Sequence, residues 1–297
     1  MTAESSRNPD IRPSVIVISS HVVRGSVGNR AAVFALETLG FPVWAVPTVI
    51  LPWHPGHSRA TRIVPPSGDF SALIDDLCSA PWIGEVGAVL SGYLGDAGQA
   101  ADIARLVGAV RQANPKAVYM CDPVIGDTGA LYVPEPVAQA IGSKLIPIAD
   151  IATPNVHELA WLSGAPMPDI RSIMAAAETL GPARVLVTSA PAMMAGSTGN
   201  LLVSGRQALM AEHRLIPKAP NGLGDLMSAT FLARLLEGLA EEKALQMATG
   251  TVFEILARTA RRGADELTLE TDAQSLRTPM AMVNMRAIRS MADRTKT

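Results

Sequence analysis

The sequence predicts an α/β protein: a three-layer α/β/α sandwich with a mostly parallel central sheet and an antiparallel edge hairpin. Three observations support this. Short apolar runs alternate with segments whose apolar residues recur at helical spacing. The runs are unbroken rather than alternating, as in strands buried on both faces. Polar side chains also gather just past the ends of several runs, where open parallel sheets bind ligands.

Taken in order, Ser14 to Ser19 is a β-branched run that reads as the first strand. A helix follows from about Gly28, with Ala32, Phe34, Ala35, Leu36 and Leu39 as its apolar stripe and Gly40 as its stop. Val43 to Ile50 is a strand, Phe70 to Ala80 a helix, Ala88 to Leu90 a strand and Ala97 to Ala113 a helix. Ala117 to Cys121 is another strand, Ile151-Ala152 ends one more before a helix from about Val156, and Arg184 to Ser189 is the last clear buried strand. Leu201 to Ile216 reads as the edge hairpin, turning at Ser204 to Gln207. Leu226 to Leu239 repeats apolar residues at helical spacing. The connection from Leu51 to Pro66 carries four prolines and two histidines, and connections this long often cover a site. No repeat or linker divides the chain, so one domain is expected over residues 1–297, with polar tails at about 1–12 and 286–297.

Composition narrows the function. The 297 residues are 48% apolar and 18% charged, which suits a large buried core. A net charge of -2 argues against nucleic acid or an anionic membrane as the main partner. Two cysteines, Cys78 and Cys121, make no disulfide framework and have no metal-ligand spacing. No apolar run approaches the roughly 18 residues of a membrane span, and Met1 to Pro13 has no apolar signal core. A cytoplasmic location is expected. The 13 methionines are expected to fill the core.

Chemistry concentrates in a few segments. Asn221-Gly222-Leu223-Gly224-Asp225 opens a helix, so its glycines lie where free N–H groups and the dipole favour an anion. An aspartate there can orient a hydroxyl and take its proton as a phosphoryl group transfers. Taken alone, the segment reads equally as a capped tight turn. Asp122 and Asp127 flank a strand exit and its turn, and hard oxygen ligands beside a phosphate suit Mg²⁺; Asp-Pro and Gly-Asp are also ordinary turn chemistry. Asn155 and Glu158 have the spacing of a capping box, and His157 reads as a surface residue. Gly92 to Asp96 closes a strand and opens a helix, with Tyr93 placed to wall a ring or cover the core. Gly25 to Asn29 lacks the spacing of a dinucleotide fingerprint.

Together these segments resemble the pyridoxal kinases of the ribokinase-like superfamily over nearly the whole chain. The resemblance rests on an ordered set: Ser20 to Ala32, Ser91-Gly92-Tyr93, Cys121 to Asp127, Thr153-Pro154-Asn155 with Glu158, and Gly222 to Asp225. It implies transfer of the ATP γ-phosphoryl to the 5′-hydroxymethyl of pyridoxal. Ser20 would then bond the pyridine ring, with Val27 and Tyr93 flanking it. Asp122 and Glu158 would serve Mg²⁺ and ATP with Asp127 nearby. Thr153 and Thr188 would help hold a monovalent cation (K⁺ or Na⁺) and the nucleotide, Asn155 would belong to the same ATP site, and Ser189 would lie beside the phosphates. Gly222 and Gly224 would form an anion hole, Leu223 between them would face nucleotide without a hydroxyl, and Asp225 would be the base. The family also implies a homodimer and a loop over the substrate. The family loop commonly reads Ser-Asn-His-Thr; here Pro52-Trp53-His54-Pro55 keeps His54 but puts Pro55 in place of threonine. A hydroxymethylpyrimidine-type kinase on the same fold and a catalytically silent B6-binding protein are the alternatives.

Overall fold

The computed structural model describes residues 12–128 and 130–289. Its centre is a nine-stranded sheet ordered β11-β10-β9-β8-β7-β4-β3-β1-β2. The parallel part comprises β1 (Ser14–Val22), β2 (Val43–Leu51), β3 (Val86–Ser91), β4 (Val118–Cys121), β7 (Ile151–Ala152) and β8 (Arg184–Pro191). β9 (Ser197–Ser204), β10 (Gln207–Arg214) and β11 (Asn284–Arg289) extend it antiparallel. A separate two-stranded ribbon joins β5 (Gly126–Asp127) to β6 (Ala130–Leu131).

β1 shows why its apolar run is unbroken. Val15 and Val17 face one core with α1 (Asn29–Thr38), α7 (Leu223–Leu236), α8 (Glu241–Arg262) and α9 (Ala273–Arg277). Ile16 and Ile18 face another, built with α2 (Ser67–Cys78), α3 (Gln99–Ala113) and α4 (Glu135–Ala140). All four are at most 1% exposed, so period-2 geometry delivers apolar atoms to both helical layers. α5 (Val156–Ser163) and α6 (Ile170–Thr179) cover β8, β9 and β10 in a third cluster. The hairpin turns at Gly205-Arg206 and its first strand starts at Ser197, four residues before the expected Leu201.

Two expectations change. Residues 286–289, read as the start of a polar tail, belong to β11 and pair with β10; residues 290–297 lie outside the described residues. The reason is a charge: Arg286 bonds the wholly buried Glu212 of β10, which also accepts the Met193 N–H, so an arginine that looks like tail chemistry neutralises a core carboxylate. The methionines are also not all core. Met120 and Met210 are buried, whereas Met193, Met194, Met280 and Met282 are exposed on the connections flanking the end of β8 and the start of β11. Among the described residues no helix is long and apolar enough to cross a membrane.

Candidate active site

Polar groups meet beyond the carboxyl ends of β1, β3, β4 and β7, where the first turn of α7 arrives. The β3–β4–β7 ladder continues past the strands, with Asp122 N–H donating to Ser91 O and Thr153 N–H to Cys121 O. Asp122 and Thr153 are therefore placed by backbone, and both are buried. Val17, Ser19, Ala32, Leu90, Gly92, Asp122, Asp225 and Ser228 line one small cleft, which brings the two aspartates together.

Gly222 caps α7 with φ +94, a left-handed conformation open to glycine, and a Cβ there would stand 2.1 Å from the Ser26 carbonyl oxygen. This close approach locks the α7 N-terminus onto the segment between β1 and α1. Gly28 makes a similar approach: at φ +57, a Cβ would lie 2.3 Å from Ser20 O and 2.4 Å from its Oγ. The Gly28 N–H acts on the Asp225 carboxylate, pulling its pKa down. Gly224 differs, since a Cβ on it would meet nothing within 4 Å. Leu223 is half-buried and packs its side chain against the core under α7.

Three carboxyls form an electrostatic series. Burial raises Asp225 to about 6, against the pull of the Gly28 N–H and its own. Burial and then the Asp225 charge raise Asp122 to about 7, while the Ser228 and Thr153 hydroxyls pull it back. Burial and then the Asp122 charge raise Glu158 to about 8. Such elevation is typical of sites built to receive positive charge or to move a proton. Ser228 Oγ donates to Asp122 Oδ2 at 3.1 Å and lies 2.8 Å from the Thr153 hydroxyl, so the two hydroxyls and Asp122 form one buried cluster.

Glu158 has a structural duty as well. The capping box is present, with Asn155 Oδ1 accepting the N–H groups of His157 and Glu158, and Glu158 Oε2 accepting the Asn155 N–H at 2.8 Å. Its Oε1 accepts the Ile125 N–H at 2.9 Å, so one carboxylate ties α5 to the β5–β6 ribbon. Asp127 is exposed on that ribbon, where, after burial, it helps raise the pKa of the Tyr132 hydroxyl. It lines a cavity of about 310 Å³ with Glu158, His157 and Trp161 and is not among the residues lining the aspartate cleft. Thr188 donates its N–H to Pro154 O, and Ser189 takes φ +54 at a break in the β8–β9 register, so this strand end is bent rather than finished.

Ser20 is buried at the end of β1, and Val27 clusters with Val22, Val49, Leu51 and Tyr93. The Tyr93 N–H donates to Ser19 Oγ at 3.1 Å, and its carbonyl accepts from Thr48 Oγ1. His54 is half-buried, and burial is the main cause lowering its pKa. Its Nδ1 accepts the Gly56 N–H and faces Asn221 Nδ2, each at 3.0 Å, so the neutral ring carries its proton on Nε2. Pro55 beside it is exposed.

The family model described as phosphomethylpyrimidine kinase matches residues 84–269. The pyridoxal kinase PdxY of Rubrobacter xylanophilus is 39% identical over 282 residues, which cover 93% of this chain and 97% of that protein. The chain belongs to the pyridoxal kinase family. The pyridoxal kinase PdxY of Deinococcus radiodurans is 37% identical over 88% of this chain and 92% of its own length. Among solved structures, the pyridoxal kinase of Leishmania donovani in complex with ADP and pyridoxamine has a TM-score of 0.87 and 29% identity, covering 93% of this chain and 99% of that one. The ribokinase-like α/β fold expected from the sequence is thus the fold observed.

Sequence reasoning missed several residues of this pyridoxal kinase site. Ser228 follows Asp225 by three positions, hence on the same helix face, and that spacing was a usable signal. Ser19 sits beside Ser20 and is reached through Tyr93 and Gly92. Glu266, described below, had no local signal.

Proposed function

We propose that this kinase transfers the γ-phosphoryl of ATP to the 5′-hydroxymethyl of pyridoxal, giving ADP and pyridoxal 5′-phosphate. The observation that carries the reading is Asp225: a carboxyl raised to about 6 in the first turn of α7, beside glycines that keep backbone N–H groups accessible. The first N–H groups of a helix have no carbonyl partner in a preceding turn, so they favour an anion there. As the acceptor oxygen bonds to the γ-phosphorus, the bond to the β–γ bridging oxygen breaks and the hydroxyl proton passes to the Asp225 carboxylate. An aspartate at about 6 is ionised at neutral pH and still far too weak to deprotonate a free alcohol, so its work is to orient the hydroxyl and accept its proton during transfer.

Mg²⁺ fits the oxygen donors present. Among the described residues no cluster of three or more His, Cys, Asp or Glu side chains forms a self-sufficient metal cage. Mg²⁺ instead pairs one or two carboxylates with phosphate oxygens and waters. Asp122 supplies such a carboxylate, with only one oxygen held by Ser228, and Glu158 lies within its electrostatic reach. Bound there, Mg²⁺ would neutralise phosphate charge. The Thr153 hydroxyl oxygen, buried beside Asp122 and Ser228, suits a monovalent cation, K⁺ or Na⁺. Ser20, Val27, Tyr93, His54 and Pro55 take the acceptor side in this reading, and Asn155, Thr188, Ser189 and Leu223 the nucleotide side. A cytoplasmic homodimer belongs to it through the family resemblance.

The test is direct. The purified chain, given Mg-ATP and pyridoxal, should release ADP and form pyridoxal monophosphate in equal amounts, followed by chromatography and mass. Binding of pyridoxal without any ADP release would instead establish the silent-binder alternative.

A further inference from the structure

We propose that Glu266 is a positioning residue: its carboxylate fastens both the loop over the acceptor and the glycine segment beside the catalytic base. The proposal deepens the pyridoxal kinase reading and rests on it for the identity of the acceptor.

Glu266 follows α8 and is about 210 positions from the loop and 240 from the glycine segment, yet all three meet at its side chain. His57 Nε2 lies 2.6 Å from Glu266 Oε1, and the Ser26 N–H donates to Oε2 at 3.3 Å. The Glu266 side chain is only 13% exposed. Gly25 makes the approach possible: a Cβ there would stand 2.6 to 2.8 Å from the carboxylate atoms, and its φ is +109. The Ser26 hydroxyl reaches the same segment by donating to Leu267 O at 3.0 Å.

Each fastened segment leads to the site. From Ser26, whose carbonyl Gly222 approaches at the start of α7, the chain passes to Val27, against the acceptor wall, and to Gly28, whose N–H lowers the Asp225 pKa. From His57, whose N–H donates to His54 O, the loop passes back to His54, and Asn221 Nδ2 touches that ring next to Gly222. One carboxylate thus sets the placement of acceptor wall, base and loop together, and it bonds none of Asp122, Thr153 or Thr188 on the nucleotide side. Arg24 adds exposed ion pairs around this contact: it bonds Asp265 twice at 2.8 Å and lies 3.6 Å from Glu266 Oε1, but its side chain is more than half exposed, and such pairs contribute little.

Kinetics with Mg-ATP and pyridoxal, and hydrogen exchange without either, test the proposal. Glu266→Ala should raise KM for pyridoxal about tenfold or more, since small misplacements of positioning groups cost that much, while KM for ATP stays within about twofold. Glu266→Gln keeps an acceptor oxygen and should recover most of the loss. Asp265→Asn, which weakens only exposed pairs with Arg24 and His57, should change KM for pyridoxal far less than Glu266→Ala does. His57→Ala breaks the contact from the exposed loop, where misfolding is not a concern, and should raise KM for pyridoxal in the same direction. Combined with Glu266→Ala, it should add little. In exchange, backbone amides of residues 24–28 and 53–58 should lose protection in Glu266→Ala while those of 150–156 keep it. Unchanged protection overturns the latch, as does an equal rise in both KM values. Should the wild-type protein not phosphorylate pyridoxal, the functional reading fails while the exchange result still decides the latch.

Discussion

Replacing Asp225 by asparagine keeps the size of the side chain and an oxygen for the Gly28 N–H, but removes the proton acceptor. A positioned general base contributes roughly 10²- to 10⁴-fold, so kcat should fall by that factor while KM for ATP changes little. The pH profile adds a sharper test. With the Asp225 carboxyl at about 6, half the enzyme holds an ionised base at pH 6 and about a tenth at pH 5, so wild-type kcat/KM should drop about tenfold between pH 7 and pH 5. An aspartate at its ordinary 3.8 would remain over nine-tenths ionised at pH 5 and lose almost nothing. Steady-state kcat/KM for pyridoxal across this range, at saturating Mg-ATP, measures the limb, and the same profile for Asp225→Asn removes contributions from the substrate's own titration. Near-normal turnover in the variant would refute the assignment. So would an acid limb that persists in it with the same midpoint.

Three further outcomes follow from the site. Asp122→Asn should make the ligand-free protein more stable at pH 8 and less active. The native pKa is raised from 3.8 to about 7, so the folded protein holds this proton more tightly than the unfolded chain, and stability is lost as pH climbs between those values. The difference converts to at most about 4 kcal/mol, and thermal unfolding at pH 5 and pH 8 should show a larger advantage of the variant at the higher pH; a lower Tm than wild type at pH 8 would count against it. Gly222→Ala and Gly224→Ala should separate folding from chemistry. The first strikes the Ser26 carbonyl and should lower Tm, whereas the second meets nothing, should leave Tm within about 1 °C because exposed changes away from special features cost little, and should still cut kcat by crowding the phosphate N–H groups. Pro55→Thr restores a hydroxyl on an exposed loop position and should change KM for pyridoxal more than kcat, and an unchanged KM would remove the loop from substrate contact.

What the sequence disclosed depended on how locally each feature was encoded. β1 was legible because its valines and isoleucines serve both faces of the sheet, and the α7 N-terminus because two glycines and an aspartate precede a helical run. α8 carries no clear sequence signal, because its buried face includes Thr249, Gly250 and Thr251 and the apolar stripe is interrupted at its centre. β11 was hidden by its arginines: as an edge strand it tolerates charge, and Arg286 earns its place only through Glu212, more than seventy positions away. The site divides similarly. Asp225, Asp122 and Glu158 lie in segments with recognisable turn or cap chemistry, whereas their elevation depends first on burial, and for Asp122 and Glu158 then on one neighbouring charge, neither of which spacing reveals. Asp127 looked equivalent to Asp122 because both flank one turn, yet the ribbon carries it to the outer face of Glu158. Glu266 was invisible because its partners, Ser26 and His57, are in other segments of the chain.

The most direct measurement is a competition in which pyridoxal, pyridoxine, pyridoxamine and hydroxymethylpyrimidine are offered together with Mg-ATP and each phosphorylated product is quantified. Pyridoxal should be converted with the highest kcat/KM and should yield its 5′-monophosphate. A higher kcat/KM for hydroxymethylpyrimidine would contradict the account.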